Sequence, residues 1–204
     1  FYRLYQKTVR KNNHEYDLFK YIFSEIGKEK KLKMLDLCSG DSFVLKYVSD
    51  FIDEYIGIDN NEKYLKKLKN EWPRFKFINA DITNLDNLED IKNFYPDIIF
   101  MNGAIHHLDD NIMSKINSFI SKYDKSKFLS VDPIKFENGI INKIMIFFDR
   151  GKFIRKKEDY KKIMLNYNQF IIDDFYRMSF QNVFHCKNMN ISNLYGTWKN
   201  KISG

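Results

Sequence analysis

The sequence predicts an α/β domain in which a mostly parallel sheet is covered by helices on both faces. Three observations predict it. Short apolar runs alternate with helix-spaced segments five times, the pattern of βαβ units with right-handed crossovers. The runs are nearly continuous in apolar residues, as strands covered on both faces are. After Ile140 the alternation stops, and two closely spaced runs read as an antiparallel hairpin ending a parallel sheet.

The elements follow in order. Residues 14–26 place apolar side chains at 18, 19, 22, 23 and 26, a helical spacing that Gly27 ends. Residues 33–37 form a first strand, 38–42 (CSGDS) a tight turn, and 43–51 a helix. A second strand at 55–58 ends at Asp59, and Asn60 caps a helix over 61–72. Strands at 75–79, 97–101 and 127–131 alternate with helices at 86–94 and 110–123. Helical segments follow after Ile140, in INKIMIFFD and again in KKEDYKKIMLNY, and the terminal strands take 170–178 and 182–189. No linker or repeat divides the chain. The expectation is one domain over 1–204, with an N-terminal helical cap at 1–30 and a helical insertion at 133–168.

Composition narrows the class. The chain has 204 residues, 44% hydrophobic, 17% aromatic and 30% charged, which supports a packed core and argues against disorder. No apolar run of membrane-spanning length exists, and FYRLYQKTVR has no apolar segment of a signal peptide after it, so the cytoplasm is expected. The two cysteines, Cys38 and Cys186, make no disulfide scaffold and no metal-ligand spacing, and adjacent His106 and His107 suit one metal poorly, so no metal is expected. A net charge of +7 fits either a nucleic-acid or anionic-membrane partner or a general richness in Lys, Asn and Ile.

Four segments carry chemistry. The strand and turn Met34-Leu35-Asp36-Leu37-Cys38-Ser39-Gly40-Asp41-Ser42 reads as a nucleotide-binding device or an ordinary βα loop. Small residues there let backbone approach a ligand, and a following helix offers free N–H groups. Asp59, nineteen positions after Gly40, can take both hydroxyls of a ribose, or cap a helix. Asp81 and Ile82 in NADI can meet an adenine amino group and ring, or form a plain loop. Met101 to Leu108 carries Asn102, Gly103, His106 and His107 beyond the fourth strand, where such folds gather binding groups. A histidine there can act as a general base or pack structurally.

Taken together, LDLCSGDS (35–42), YIGIDNN (55–61), NADI (79–82) and PDIIFMNGAIHHLDD (96–110) resemble the class I S-adenosylmethionine-dependent methyltransferases. The likeness is to the small-molecule, type 11/12-like subgroup, and runs from about Leu32 to Asp132. The resemblance implies a Rossmann-like doubly wound sheet of seven strands, order 3-2-1-4-5-7-6, with strand 7 antiparallel. It implies S-adenosyl-L-methionine as cofactor and S-adenosyl-L-homocysteine as product. Asp36, Cys38 and Gly40 would frame the methionine end, Asp59 and Asn60 the ribose, Asp81 and Ile82 the adenine, and Asn102 and Gly103 the path to the sulfonium. The first motif departs from the family: Cys38 and Ser42 stand where glycine is usual, and only Gly40 remains.

The acceptor side is expected from the N-terminal segment, with Tyr2 and Tyr5, and from 132–160, where the helix-and-loop resembles an insertion of one bacterial subgroup. Catalysis is assigned to His106, and acceptor contacts to Tyr5, His107, Arg150 and Arg155. The alternative is that Phe147 and Phe148 are core and Arg150 pairs with Asp149 or Asp159 on the surface. The leading expectation is methyl transfer to an oxygen or nitrogen of a small molecule. The alternatives are an RNA or protein methyltransferase, for which Met-Asn-Gly-Ala after strand four is a poor match, and a non-catalytic scaffold. Oligomeric state is not legible.

Overall fold

The computed structural model describes residues 14–135, 151–172 and 182–203. Its strands are β1 (Leu32–Leu37), β2 (Ile52–Asp59), β3 (Lys76–Asn79), β4 (Ile98–Asn102), β5 (Lys127–Pro133), β6 (Asn168–Ile172) and β7 (Asn182–Lys187). They form one seven-stranded sheet in the order β3-β2-β1-β4-β5-β7-β6. β1 to β5 pair in parallel, and β7 runs antiparallel to both β5 and β6. This is the order the resemblance implied.

The helices are α1 (His14–Ile26), α2 (Leu45–Val48), α3 (Glu62–Glu71), α4 (Glu89–Lys92), α5 (Asp110–Ser121), α6 (Lys157–Ile163) and α7 (Ile191–Ser203). They divide between the faces because alternate strand residues point opposite ways. Met34 and Phe100 point into one core with Leu18, Phe19, Ile22 and Phe23 of α1, Leu65 and Leu68 of α3, and Ile191 and Trp198 of α7. Leu35, Leu37, Ile99 and Met101 point into the other with Ile91 of α4, Met113, Ile116 and Ile120 of α5, and Tyr160 of α6.

Several boundaries differ from expectation, each for a local reason. α1 packs into the core, its Phe19 ring meeting Phe100 edge-on at 5.2 Å. The helix after the first turn shrinks to α2 and a 3-10 turn, Ser49–Phe51. The cap of α3 is Asn61, not Asn60: its side chain accepts from the amides of Lys63 and Tyr64. The helix expected at 86–94 splits into a 3-10 turn, Ile82–Asn87, and α4. β6 begins earlier than expected, and 173–178 lie outside the described residues, as does the helix expected at 140–149. α7 was not anticipated, although Ile191, Leu194, Tyr195 and Trp198 carry helical spacing and the Asn190 side chain accepts from the Asn193 amide.

One close approach in β2 bears on the site. A Cβ at Gly57 would lie 2.9 Å from the ring and hydroxyl of Tyr55 and 3.1 Å from Phe77. Tyr55 is fixed by two hydrogen bonds and cannot yield freely. Gly57→Ala is expected to cost about 1–3 kcal/mol by overpacking, read from chemical denaturation.

Candidate cofactor and acceptor site

The parallel strands deliver their carboxyl ends to one edge, and the register places the predicted residues there. Asp36 lies opposite Gly57 on β2 and Phe100 on β4, so the next residues of β1 and β4 carry Cys38 and Asn102 to the same edge. Asp59 lies opposite Asn79 on β3. The turn after β1 reaches back to β2, where the Ser39 amide donates to Ile58 O at 2.9 Å.

The turn itself alternates through left-handed backbone. Cys38, Gly40 and Ser42 have φ of +57°, +54° and +44°. These are the three positions at which the methyltransferase motif usually has glycine. The glycine-type turn is therefore kept, at a cost of about 1–2 kcal/mol for each side chain forced left-handed. A buried chain of hydrogen bonds supports it from below. Ser42 Oγ and Tyr55 Oη lie 2.9 Å apart, and Tyr55 Oη donates to Asp36 Oδ2 at 2.6 Å. From beside the turn, the Gly40 amide donates to Asp59 Oδ2 at 2.8 Å. Asp59 Oδ1 accepts from the Asn61 amide at 2.8 Å. A carboxylate has about four acceptor positions, so Asp59 keeps capacity for two more donors. A Cβ added at Gly40 would meet nothing within 4 Å, so the cradle is open on its ligand side.

The expected helix N-terminus does not contribute. α2 has four residues, and the amides of Leu45, Lys46 and Tyr47 already donate to Ser42, Phe43 and Val44 carbonyls. Binding at this turn falls to its own backbone and the neighbouring carboxylates.

Those carboxylates converge. The Cys38 thiol is pushed up to about 12, first by burial and then by Asp59, Asp36, Asp132 and Asp81. A neutral thiol sits among four acids, so the edge favours a cation although the chain is net basic. Asp81 is exposed and caps the 3-10 turn, its Oδ1 accepting from Thr83 N and Oγ1 at 2.7 and 2.6 Å. These bonds hold its carboxyl below the usual range. Ile82 beside it is half-buried, and Asn60 is exposed.

Beyond β4, Gly103 (φ +62°) donates to Val131 O at 2.8 Å and turns the chain into the 3-10 turn Ile105–His107. His106 is buried there and meets Asp132 twice: Nδ1 lies 2.8 Å and the backbone amide 3.1 Å from Oδ1. His107 is exposed, its ring 4.2 Å from that of His106. Sequence reasoning missed Asp132 as a partner for His106. Its signal was an acid at the end of β5, the strand adjoining β4.

Arg155, expected at the acceptor, is also engaged within the fold. Its guanidinium is buried and donates to the carbonyls of Ile105, Leu108 and Phe153 and to Asp110 Oδ1. The fork thus clamps the β4 loop to the 153–155 segment, a bond the Phe153 amide completes by donating to His106 O at 2.9 Å. A groove of about 410 Å³ lies beside this clamp, lined by Phe153, Lys135, Lys156 and Lys162, by Arg155 itself, and by the carboxylates of Asp110 and Asp159. Tyr5 and Arg150 lie outside the described residues.

Two outcomes are expected from this geometry. Asp36 is buried, and burial pushes its carboxyl up to about 7, against the lowering effect of Tyr55. Because the folded state holds the proton more tightly than the unfolded, this group makes stability fall as pH rises from about 4 to 7, by on the order of 4 kcal/mol. Asp36→Asn is expected to grow more stable relative to wild type across that window, measured by urea melts at several pH values. Arg155→Met is expected to lose about 2–4 kcal/mol, mostly from the Leu108 and Phe153 carbonyls that lose this donor, since Ile105 O still accepts from the Leu108 amide and Asp110 is largely exposed.

Residues 35–118, from β1 into α5, match the family described as "Methyltransferase domain". No curated protein matches the chain in sequence. Among solved structures, the methyltransferase domain of bacterial CtHen1 is 15% identical, with a TM-score of 0.62 over 86% of this chain and 99% of that one. Magnesium protoporphyrin IX methyltransferase from Synechocystis PCC 6803, with S-adenosylhomocysteine bound, is 12% identical, with a TM-score of 0.62 over 86% and 83%. The plantazolicin methyltransferase BpumL, also with S-adenosylhomocysteine, is 14% identical, with a TM-score of 0.61 over 85% and 82%. Residues 35–118 thus match a methyltransferase domain, set in a seven-stranded sheet whose fold the chain shares with these methyltransferase structures.

Proposed function

We propose that this chain is a class I S-adenosylmethionine-dependent methyltransferase that moves a methyl group to an oxygen or nitrogen of a small-molecule acceptor, with His106 as the general base. The observation that carries the reading is the His106–Asp132 pair, held beside the acidic cofactor edge and beside a groove of small-molecule size.

The residues present fit the cofactor. Asp59 would take the ribose hydroxyls on its remaining acceptor positions, with Asn60 beside them. Asp81 and Ile82 would meet the adenine, and Cys38, Gly40, Asn102 and Gly103 the methionine end. When bound, S-adenosylmethionine supplies an electrophilic methyl on a positively charged sulfur. Asp36, at the base of the turn, would favour that cation once ionised, so affinity rises as pH passes about 7. On the acceptor side, Asp132 accepts the Nδ1 hydrogen of His106 and leaves the basic lone pair on Nε2. That nitrogen removes the proton an acceptor hydroxyl must lose, and Asp132 stabilises the imidazolium formed. Phe153 offers the groove an apolar wall, and Lys135 and Lys156 suit an acceptor carrying a carboxylate or phosphate, Lys162 being paired with Asp159.

Asp59→Ala is expected to weaken S-adenosylhomocysteine binding by about 1–3 kcal/mol in calorimetry; unchanged affinity would remove Asp59 from the site. His106→Asn is expected to lower kcat about 10²–10⁴-fold with cofactor affinity kept. Equal losses in both would make His106 structural. A panel of small hydroxyl and amine acceptors, followed by S-adenosylhomocysteine release, supplies the turnover assay.

A further inference from the structure

A row of polar side chains lies buried behind the catalytic pair. Ser130 on β5 stands opposite His185 on β7, and His185 stands opposite Gln169 on β6. Directly opposed side chains have Cβ atoms about 4.5–5.5 Å apart, so the three form one band across the sheet. Ser130 and His185 are fully buried, and Gln169 is half-buried with its amide atoms shut from solvent. Ser130 Oγ, both ring nitrogens of His185 and both amide atoms of Gln169 have no hydrogen-bond partner. Buried polar atoms without partners are costly, and five such atoms in one band call for a shared explanation.

The explanation lies one step along β5. Asp132 is two residues from Ser130, on the same face and about 7 Å on at the usual strand rise. Its Oδ1 is engaged by His106, while its Oδ2 is buried and has no partner. A single water, making two bonds of about 2.8 Å, spans such a gap. The row is rich in donors: one serine hydroxyl, one N–H of a neutral imidazole, and two amide hydrogens. Burial lowers His185 to about 3, so its ring stays neutral and brings no competing charge. Tyr160 roofs the row, its ring 5.0 Å from His185 and its hydroxyl donating to Pro133 O. Asn117 of α5 donates to Ile163 O nearby and leaves its own buried Oδ1 unpartnered.

We propose that Ser130, His185 and Gln169 form a row of positioning residues in which Ser130, backed by His185 and Gln169, donates through ordered water to Asp132 Oδ2 and holds its carboxylate aimed at His106. The catalytic consequence rests on His106 being the base; the network itself does not. Other titratable groups around it are His107 beside His106, Tyr160 on α6, Tyr167 and Lys187 at the Phe128 end, and Cys38, which Asp132 influences.

The test is the titration of His106, followed by imidazole ¹⁵N NMR in the full chain without cofactor or acceptor. His185→Phe keeps the volume and removes both nitrogens. If the row aims Asp132 at His106, the imidazolium loses its counter-charge in this variant, and the His106 midpoint falls by roughly half a unit or more. His185→Asn, which restores a donor and an acceptor, is expected to recover most of that shift. Ser130→Ala changes little volume and gives a smaller fall, which keeps the test open if His185→Phe does not fold. A His106 midpoint unchanged in folded variants overturns the proposal. If His106→Asn keeps full turnover, the base reading fails alone and the titration still decides the network.

Discussion

The hydrogen bond from the Gly40 amide to Asp59 is the constraint on which the site depends. It ties the tip of β1 to the tip of β2 and fixes where a ligand can lie. The turn that presents this amide is conformationally expensive, because Cys38 and Ser42 adopt left-handed backbone with side chains attached. Such strain persists only where surrounding structure over-determines it. Here the determination comes from below, through Tyr55 bridging Asp36 and Ser42, and from the side, through Asp59. The absence of glycine at two of the usual positions is thus compensated by a polar brace within the sheet.

The same logic of bracing recurs at the other half of the site. The loop after β4 carries His106 but has little regular structure of its own, only a three-residue 3-10 turn. Its position is imposed by Arg155, which gathers the carbonyls of Ile105 and Leu108, and by Asp132, which takes both the ring and the backbone of His106. A guanidinium suits this task because its donors form a rigid planar fork. A guanidinium expected at the acceptor is engaged instead within the fold.

Electrostatically the protein divides its work. Lysines spread over the surface give the net positive charge, while carboxylates from the ends of β1, β2 and β5 and the loop after β3 surround Cys38. Net charge therefore says little about the ligand here, and the local field at the sheet edge says more.

Much of this was legible without coordinates. Alternating apolar runs and helical spacing determined the parallel sheet, and spacing between Gly40 and Asp59 marked the cofactor edge, because period and separation along the chain are local properties. Element boundaries blurred where helical spacing continued past the real helix, as at α2, and α7 went unread behind the hairpin. What only the tertiary structure decided were pairings across long separations: Asp132 with His106, Arg155 with the β4 loop, and Ser130, His185 and Gln169 in one row. Each joins residues whose neighbourhood is set by strand order and register. No local pattern encodes such neighbours, since a side chain's partner in the interior depends on how distant segments are stacked.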